Sequence, residues 1–280
     1  MAHSLPTTQS RAQQQEQQQQ TFYRRQLPSH LISFTSKEGR RLFKETLNNG
    51  YAESYFNLAG NFTTQSEPAY CGPSSLAMVL NALEVDPGRT WKGAWRWYSD
   101  EILHPCGPED RLKSKGITFD QFHCLASSHC SVVAKRGNEV SRDEFREDLR
   151  RVCQCSDTFM VMSFSRRVLG QTGDGHFSPV GAYHTGTDRV MVLDTARYKY
   201  PVWFGATDLL YDAMQPTDKE TGKPRGYFML RKQLELPRNQ HQHQHQPECS
   251  TSVHLPECPS DVIPTPLICS CKQAGKTLRA

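Results

Sequence analysis

"SEPAYCGPSSLAMVLNAL", residues 66–83, sets a cysteine directly before Gly-Pro and an apolar run at helical spacing. Proline in the first turn of a helix forfeits no intrahelical hydrogen bond, so Gly72-Pro73 can open a helix with Leu76, Val79, Leu80 and Leu83 on one face. Cys71 then stands at a helix N-terminus, where partial positive charge and unpaired N–H groups favour a thiolate. Cysteine is also among the most buried residue types, so position alone does not separate a core thiol from a nucleophile. Partners elsewhere in the chain must decide.

The segment "TGDGHFSPVGAYHTGTDRVMVLDTARYKYP", 172–201, supplies them. A hairpin closed from His184 to Arg189 through "TGTD" brings His176 and Asp194 to the open ends of two antiparallel strands. Pro179 calls for an edge position or a bulge in that strand. A thiolate with an imidazole base and a carboxylate that orients the ring is an acyl-transfer arrangement, and the order Cys, His, Asp fits it. Asp194 ends the apolar run "VMVLD", where a buried carboxylate needs a partner; the plainer alternative is a turn cap. Gln65, six residues before Cys71, offers an amide N–H for an oxyanion, or is simply a surface residue.

Around these residues the chain has one folded region. Residues 1–24 read as a Gln-rich disordered tail, 25–236 as one catalytic domain, and 237–280 as a flexible tail containing His and Cys. Further helices are signalled by Ser141 with Glu144, a capping box before Phe145, Leu149 and Val152, and by "TFDQFHCLA" after Gly116. Beyond residue 158, "TFMVMSF", "HFSPVGAYH", "RVMVLDTA" and "GYFMLRK" are short β-rich runs between turns. A helical N-terminal part followed by a mostly antiparallel sheet is an α+β domain.

With 33 basic and 29 acidic residues and a net charge of +4, the chain shows no basic stripe and no sign of a nucleic-acid partner. No apolar stretch approaches the roughly 20 residues of a membrane span, and the N-terminus has no apolar secretory core. The reading is a soluble, cytoplasmic protein without a membrane partner; the acid-poor, arginine-bearing start also fits an organelle transit peptide. Most of the ten cysteines, in a chain without a secretory signal, are read as free thiols.

"FTTQSEPAYCGPSSLAMVLNAL", "LGQTGDGHFSPVGAYH" and "VLDTARYKYPVWF" together resemble the phytochelatin synthases, the glutathione γ-glutamylcysteinyltransferases, and the resemblance covers nearly all of 28–235. It implies a papain-like fold in which Cys71 is the nucleophile, His176 the base and acid, Asp194 the orienter and Gln65 the oxyanion donor. It implies that γ-Glu-Cys passes from glutathione through a Cys71 acyl-enzyme to a second glutathione or a phytochelatin peptide, with release of glycine, in heavy-metal detoxification. Arg197, Lys199, Tyr200, Arg166 and Arg225 fall at matching substrate-contact positions, and substrate carboxylates call for such cations.

The resemblance further implies no organic cofactor, activation by thiophilic ions (cadmium, zinc, copper), and a metal-bridged pair of glutathiones as a substrate form. Cys106, Cys124, Cys130, Cys153 and Cys155, with His123 and His129 nearby, lack paired C-x-x-C spacing, so no metal ligand is assigned. His241, His243, His245, Cys249, Cys258, Cys269 and Cys271 lie in a tail shorter than that of plant-type members, which leaves any metal role of the tail open. A homodimer is compatible with the sequence. The rival readings are a cysteine hydrolase removing glycine from glutathione or its S-conjugates, and an inactive thiol-rich metal-binding protein.

Overall fold

A computed structural model describes residues 23–103 and 115–233. The Gln-rich tract, Cys106 and the tail thiols and histidines lie outside the described residues. In chain order the elements are β1 (Ile32–Ser33), α1 (Lys37–Asn48), α2 (Glu53–Gly60), α3 (Cys71–Ala82), α4 (Phe119–Ser127), β2 (Ser131–Arg136) and α5 (Arg142–Cys153). There follow β3 (Thr158–Ser165), β4 (Gly175–His184), β5 (Arg189–Val192), β6 (Trp203–Ala206), α6 (Thr207–Met214) and β7 (Gly226–Arg231).

The strands form one sheet in the order β1-β6-β5-β4-β3-β7-β2, with every pairing antiparallel. This is an α+β fold with helices on both sheet faces. Strand side chains alternate between the faces: Phe159 and Val161 join the core under α3 and α4, whereas Met160, Met162 and Phe164 join the core under α5 and α6.

Helices do not simply precede strands, because α5 and α6 interrupt the strand region and β2 precedes residue 158. As an edge strand with only Val132 and Arg136 buried, β2 carries a weak alternation signal. The helix begun at Cys71 is not one-sided either: nearly all of α3 is buried, as suits a helix that is apolar around its circumference. The 84–103 segment covers it, fastened by Asn81 Nδ2 to the Tyr98 carbonyl at 2.9 Å and by the Tyr98 N–H to Asn81 Oδ1 at 3.1 Å. In α4 the reciprocal capping box is complete between Thr118 and Gln121. In α5 only half forms: Ser141 caps the Glu144 N–H, while the Glu144 carboxylate pairs with Lys135 at 2.8 Å.

Pro179 sits in the central strand, not at an edge. Residues 175–179 of β4 pair with β3, residues 180–184 pair with β5, and a bulge separates Val180 from Ala182. Pro179 stands where the strand changes partners, so its missing N–H breaks no continuous ladder, and its carbonyl still accepts the Leu193 N–H at 2.9 Å. At Gly181 a Cβ would come within 3.1 Å of Leu193, so glycine gives the bulge its room.

Phe122 of α4, fully buried, stacks on Phe177 of β4 with centroids 5.0 Å apart, beneath the start of α3. Phe122→Ala is expected to destabilise the fold by about 3–5 kcal/mol; urea denaturation followed by circular dichroism checks this, and a loss below 1 kcal/mol would place the ring outside the core.

Candidate active site

Cys71 is the first residue of α3, capped by no side chain, and Tyr70 supplies the first helical carbonyl, bonded by the Ser74 N–H at 2.9 Å. The preceding loop is stitched to the segment after β5: the Gln65 N–H donates to the Thr195 carbonyl at 3.0 Å, and Thr195 Oγ1 donates to Gln65 Oε1 at 3.3 Å. Buried Asp100 fastens the same loop to α3, accepting the Ser66 N–H at 2.8 Å and the Ser74 hydroxyl.

From the 180–192 pairing, antiparallel register would set Asp194 opposite Ser178. Its carboxylate instead reaches diagonally along the sheet, and Oδ1 lies 3.0 Å from His176 Nε2. Asp194 is wholly buried. Arg166 grips it with both arms, Nη2 to Oδ1 at 2.8 Å and Nη1 to Oδ2 at 2.9 Å, while the Ala196 N–H donates at 3.0 Å and Trp203 Nε1 at 3.4 Å. Burial opposes the charge on Asp194, but Arg166 and His176 overcome it and hold the carboxyl far below the usual range.

Burial and the Arg166 guanidinium both work against protonation of His176, yet Asp194 and Cys71 outweigh them and its pKa is raised. Arg166 Nη2 lies only 2.8 Å from Nε2. Both atoms are donors when Nε2 carries a proton, so that approach is repulsive in the imidazolium state and Asp194 must offset it. Burial likewise opposes ionisation of Cys71, but the His176 charge and hydrogen bond, the Phe177 N–H and Arg166 lower its pKa. With Nε2 turned to Asp194, Nδ1 is the ring atom left for the thiol. Both directions favour a thiolate–imidazolium pair, the state that nucleophilic acyl transfer uses.

A cavity of about 750 Å³, within the size range of small-molecule sites, opens over Cys71 and His176, and basic side chains outnumber acidic ones on its walls. The expected substrate contacts divide there. Arg225 is buried at the wall, with Nη1 on the Pro216 carbonyl at 2.9 Å and Nη2 facing Asp174 at 3.4 Å and Asp218 at 3.7 Å. Lys199 also lines the cavity and donates to the Thr172 carbonyl at 2.6 Å; burial and then Arg166 lower its pKa.

Arg166 lines the cavity too, but both ends of its guanidinium are spent on Asp194, with a further bond to Gln171. Tyr200 is buried, outside the cavity lining, and turns its hydroxyl to the Thr172 N–H at 2.9 Å, which fixes a loop. Arg197 is exposed, outside the cavity lining, with its guanidinium 4.7 Å over the Phe62 ring. The Gln65 amide nitrogen donates to the Glu67 and Pro68 carbonyls at 2.9 Å each, so it is not the unengaged donor an oxyanion needs.

Arg24, Arg25 and Tyr198 line the cavity without having been singled out from sequence; the adjacent arginines and the "ARYKY" cluster were the only signals. Nothing in sequence marked Asp100. Among the described residues no three His, Cys, Asp or Glu side chains come together as a metal site. Cys130 and Cys153 are each pushed up to about 12 by burial, which disfavours the thiolate a metal takes.

A family model described as phytochelatin synthase matches residues 22–227. A glutathione gamma-glutamylcysteinyltransferase of Schizosaccharomyces pombe is 44% identical over 211 residues, 75% of this chain and 51% of its own. Glutathione gamma-glutamylcysteinyltransferase 3 of Lotus japonicus is 46% identical over 217 residues, 77% of this chain and 45% of its own. Glutathione gamma-glutamylcysteinyltransferase 2 of Arabidopsis thaliana is 44% identical over 218 residues, 78% of this chain and 48% of its own. The chain spans about half the length of these curated relatives.

The Cys71 pKa is depressed and that of His176 raised, so the ion pair forms as pH rises through the Cys71 value and is lost as pH rises through the His176 value. Iodoacetamide is expected to alkylate Cys71 below the ordinary thiol range, and His176→Ala to move the profile up toward about 8.5; coincident profiles would contradict the pairing. Arg166→Ala, which leaves Asp194 buried without its fork, is expected to cost about 3–5 kcal/mol in urea unfolding, and Arg166→Lys to recover only part because it lacks the two-armed geometry.

Proposed function

The chain belongs to the phytochelatin synthase family, and from that membership we propose that it transfers γ-Glu-Cys from glutathione to a second glutathione or a phytochelatin peptide on a papain-like scaffold. The observation that carries the reading is the low-pKa Cys71 at the head of α3, coupled to His176 and open to a cationic cavity.

The Cys71 thiolate attacks the carbonyl carbon of the Cys–Gly amide. The N–H groups at the head of α3 face the developing oxyanion, and Gln65 joins them only by exchanging one carbonyl partner. The His176 imidazolium protonates the departing glycine nitrogen, leaving a γ-Glu-Cys thioester. The acceptor amine then attacks that carbonyl, forming C–N and breaking C–S, and its proton passes to His176. Asp194 supports each imidazolium state, and Arg166 holds Asp194 in place. Arg225, with Asp174 and Asp218 beside it, offers both charges that the γ-glutamyl amine and carboxylate of the donor call for.

Thiophilic metal enters, on this reading, as a glutathione thiolate complex, as substrate. Support comes from the high pKa of Cys130 and Cys153, which makes them poor ligands.

Incubation with glutathione and cadmium, followed by thiol chromatography, is expected to give (γ-Glu-Cys)n-Gly oligomers; γ-Glu-Cys and glycine alone would establish hydrolysis instead. Cys71→Ser is expected to lower transfer by about a thousandfold or more, whereas undiminished metal retention without any wild-type transfer would mark a thiol-rich metal-binding protein.

A further inference from the structure

The basic groups at the cavity fall into two sets. Arg225 faces Asp174 and Asp218, and Lys115 faces Glu220 at 3.6 Å. Arg24, Lys199 and Lys219 are different: among the described residues no carboxylate lies within ion-pair distance of any of the three. Arg24 belongs to a short strap, Tyr23–Arg25, fastened across residue 199 by the Arg25 N–H to the Lys199 carbonyl at 2.9 Å. Arg24 is exposed and holds φ at +64°, a left-handed conformation unusual for a side chain other than glycine. Such backbone strain persists where the surroundings fix it, and it gathers at ligand-binding places.

The two halves of the proposed reaction ask for different surroundings. The donor's γ-glutamyl end is a zwitterion, matched by a set with both signs. The acceptor's amine must be unprotonated to attack, so its surroundings should be positive without a neighbouring carboxylate. Acceptors also lengthen with each round, which moves their C-terminal carboxylate away from the site. The feature common to every acceptor is the α-carboxylate beside the attacking amine.

We propose that the strap completes an acceptor subsite in which the Arg24 guanidinium binds the α-carboxylate next to the nucleophilic amine. This assignment rests on the transferase reading above. The amine so held attacks the Cys71 thioester carbon; C–N forms, C–S breaks, the sulfur leaves as thiolate and the amine proton goes to His176. Water has no carboxylate to be held by, so the strap favours transfer over hydrolysis. Arg24 is a specificity residue for the second substrate.

The test uses the full chain, acylated with glutathione and then chased with glutathione or with 4-aminobutyryl-Cys-Gly, which keeps the amine and lacks the α-carboxylate. Glycine release and the Cys71 adduct report acylation; the chase product reports transfer. Wild type is expected to prefer glutathione about tenfold or more, as a charge-assisted contact supplies. Arg24→Ala is expected to lower transfer to glutathione about tenfold, to raise the hydrolysed share and to erase the preference, with Arg24→Lys recovering part of it. An unchanged preference in Arg24→Ala, or equal losses in acylation and transfer, would overturn the subsite. If wild type releases no glycine and shows no Cys71 adduct, the transferase reading itself fails, and the assignment with it.

Discussion

A carboxylate with no solvent contact holds this site together. Asp194 is buried among Trp203, Ala196, Arg166 and His176, and all four direct N–H groups at it. An isolated buried charge would be several kcal/mol unfavourable. Here Arg166 supplies the compensating charge and two aligned hydrogen bonds, leaving Oδ1 in place to fix the imidazole. The surrounding fold is arranged to keep these groups together: β3 delivers Arg166 just past its end, β4 carries His176, and the β5 hairpin returns Asp194. Arg166 therefore pulls in two directions. It ionises Asp194, which favours the imidazolium, and its own charge at Nε2 opposes it.

The nucleophile comes from another part of the chain, and its alignment with the sheet depends on a few long-range ties. The Gln65–Thr195 bonds join the loop before Cys71 to the residues after Asp194, and Asp100 binds that loop to α3 through Ser66 and Ser74. Phe177 acts on both sides, stacking on Phe122 through its ring and supporting the Cys71 sulfur through its N–H. Core packing and thiolate stabilisation thus share one residue.

Much of this was legible in sequence because the signals are local. Gly72-Pro73 marked the start of α3, the 184–189 turn fixed the hairpin, and the apolar run ending in Asp194, just past β5, announced a carboxylate in need of partners. What sequence missed depends on distant parts of the chain. The partners of Arg166 and Tyr200 follow from what packs around them: Arg166 lines the cavity and also grips Asp194, and the Tyr200 hydroxyl accepts the Thr172 N–H. Gln65 lines the cavity with its amide turned to its own turn. Strand β2 was hidden by edge exposure, and Arg24 and Arg25 by their place beside a Gln-rich tract, where only tertiary contact reveals that they face the cavity.

The central claim is that Asp194 pins Nε2 of His176, leaving Nδ1 to pair with an ionised Cys71. Nuclear magnetic resonance of protein carrying ¹⁵N-histidine and ¹³Cβ-cysteine tests it at neutral pH without substrate or turnover. The account predicts that His176 has both ring nitrogens protonated, with a downfield Nε2 proton, and that Cys71 shows a thiolate carbon shift. A neutral His176 ring beside a protonated Cys71 thiol would contradict it.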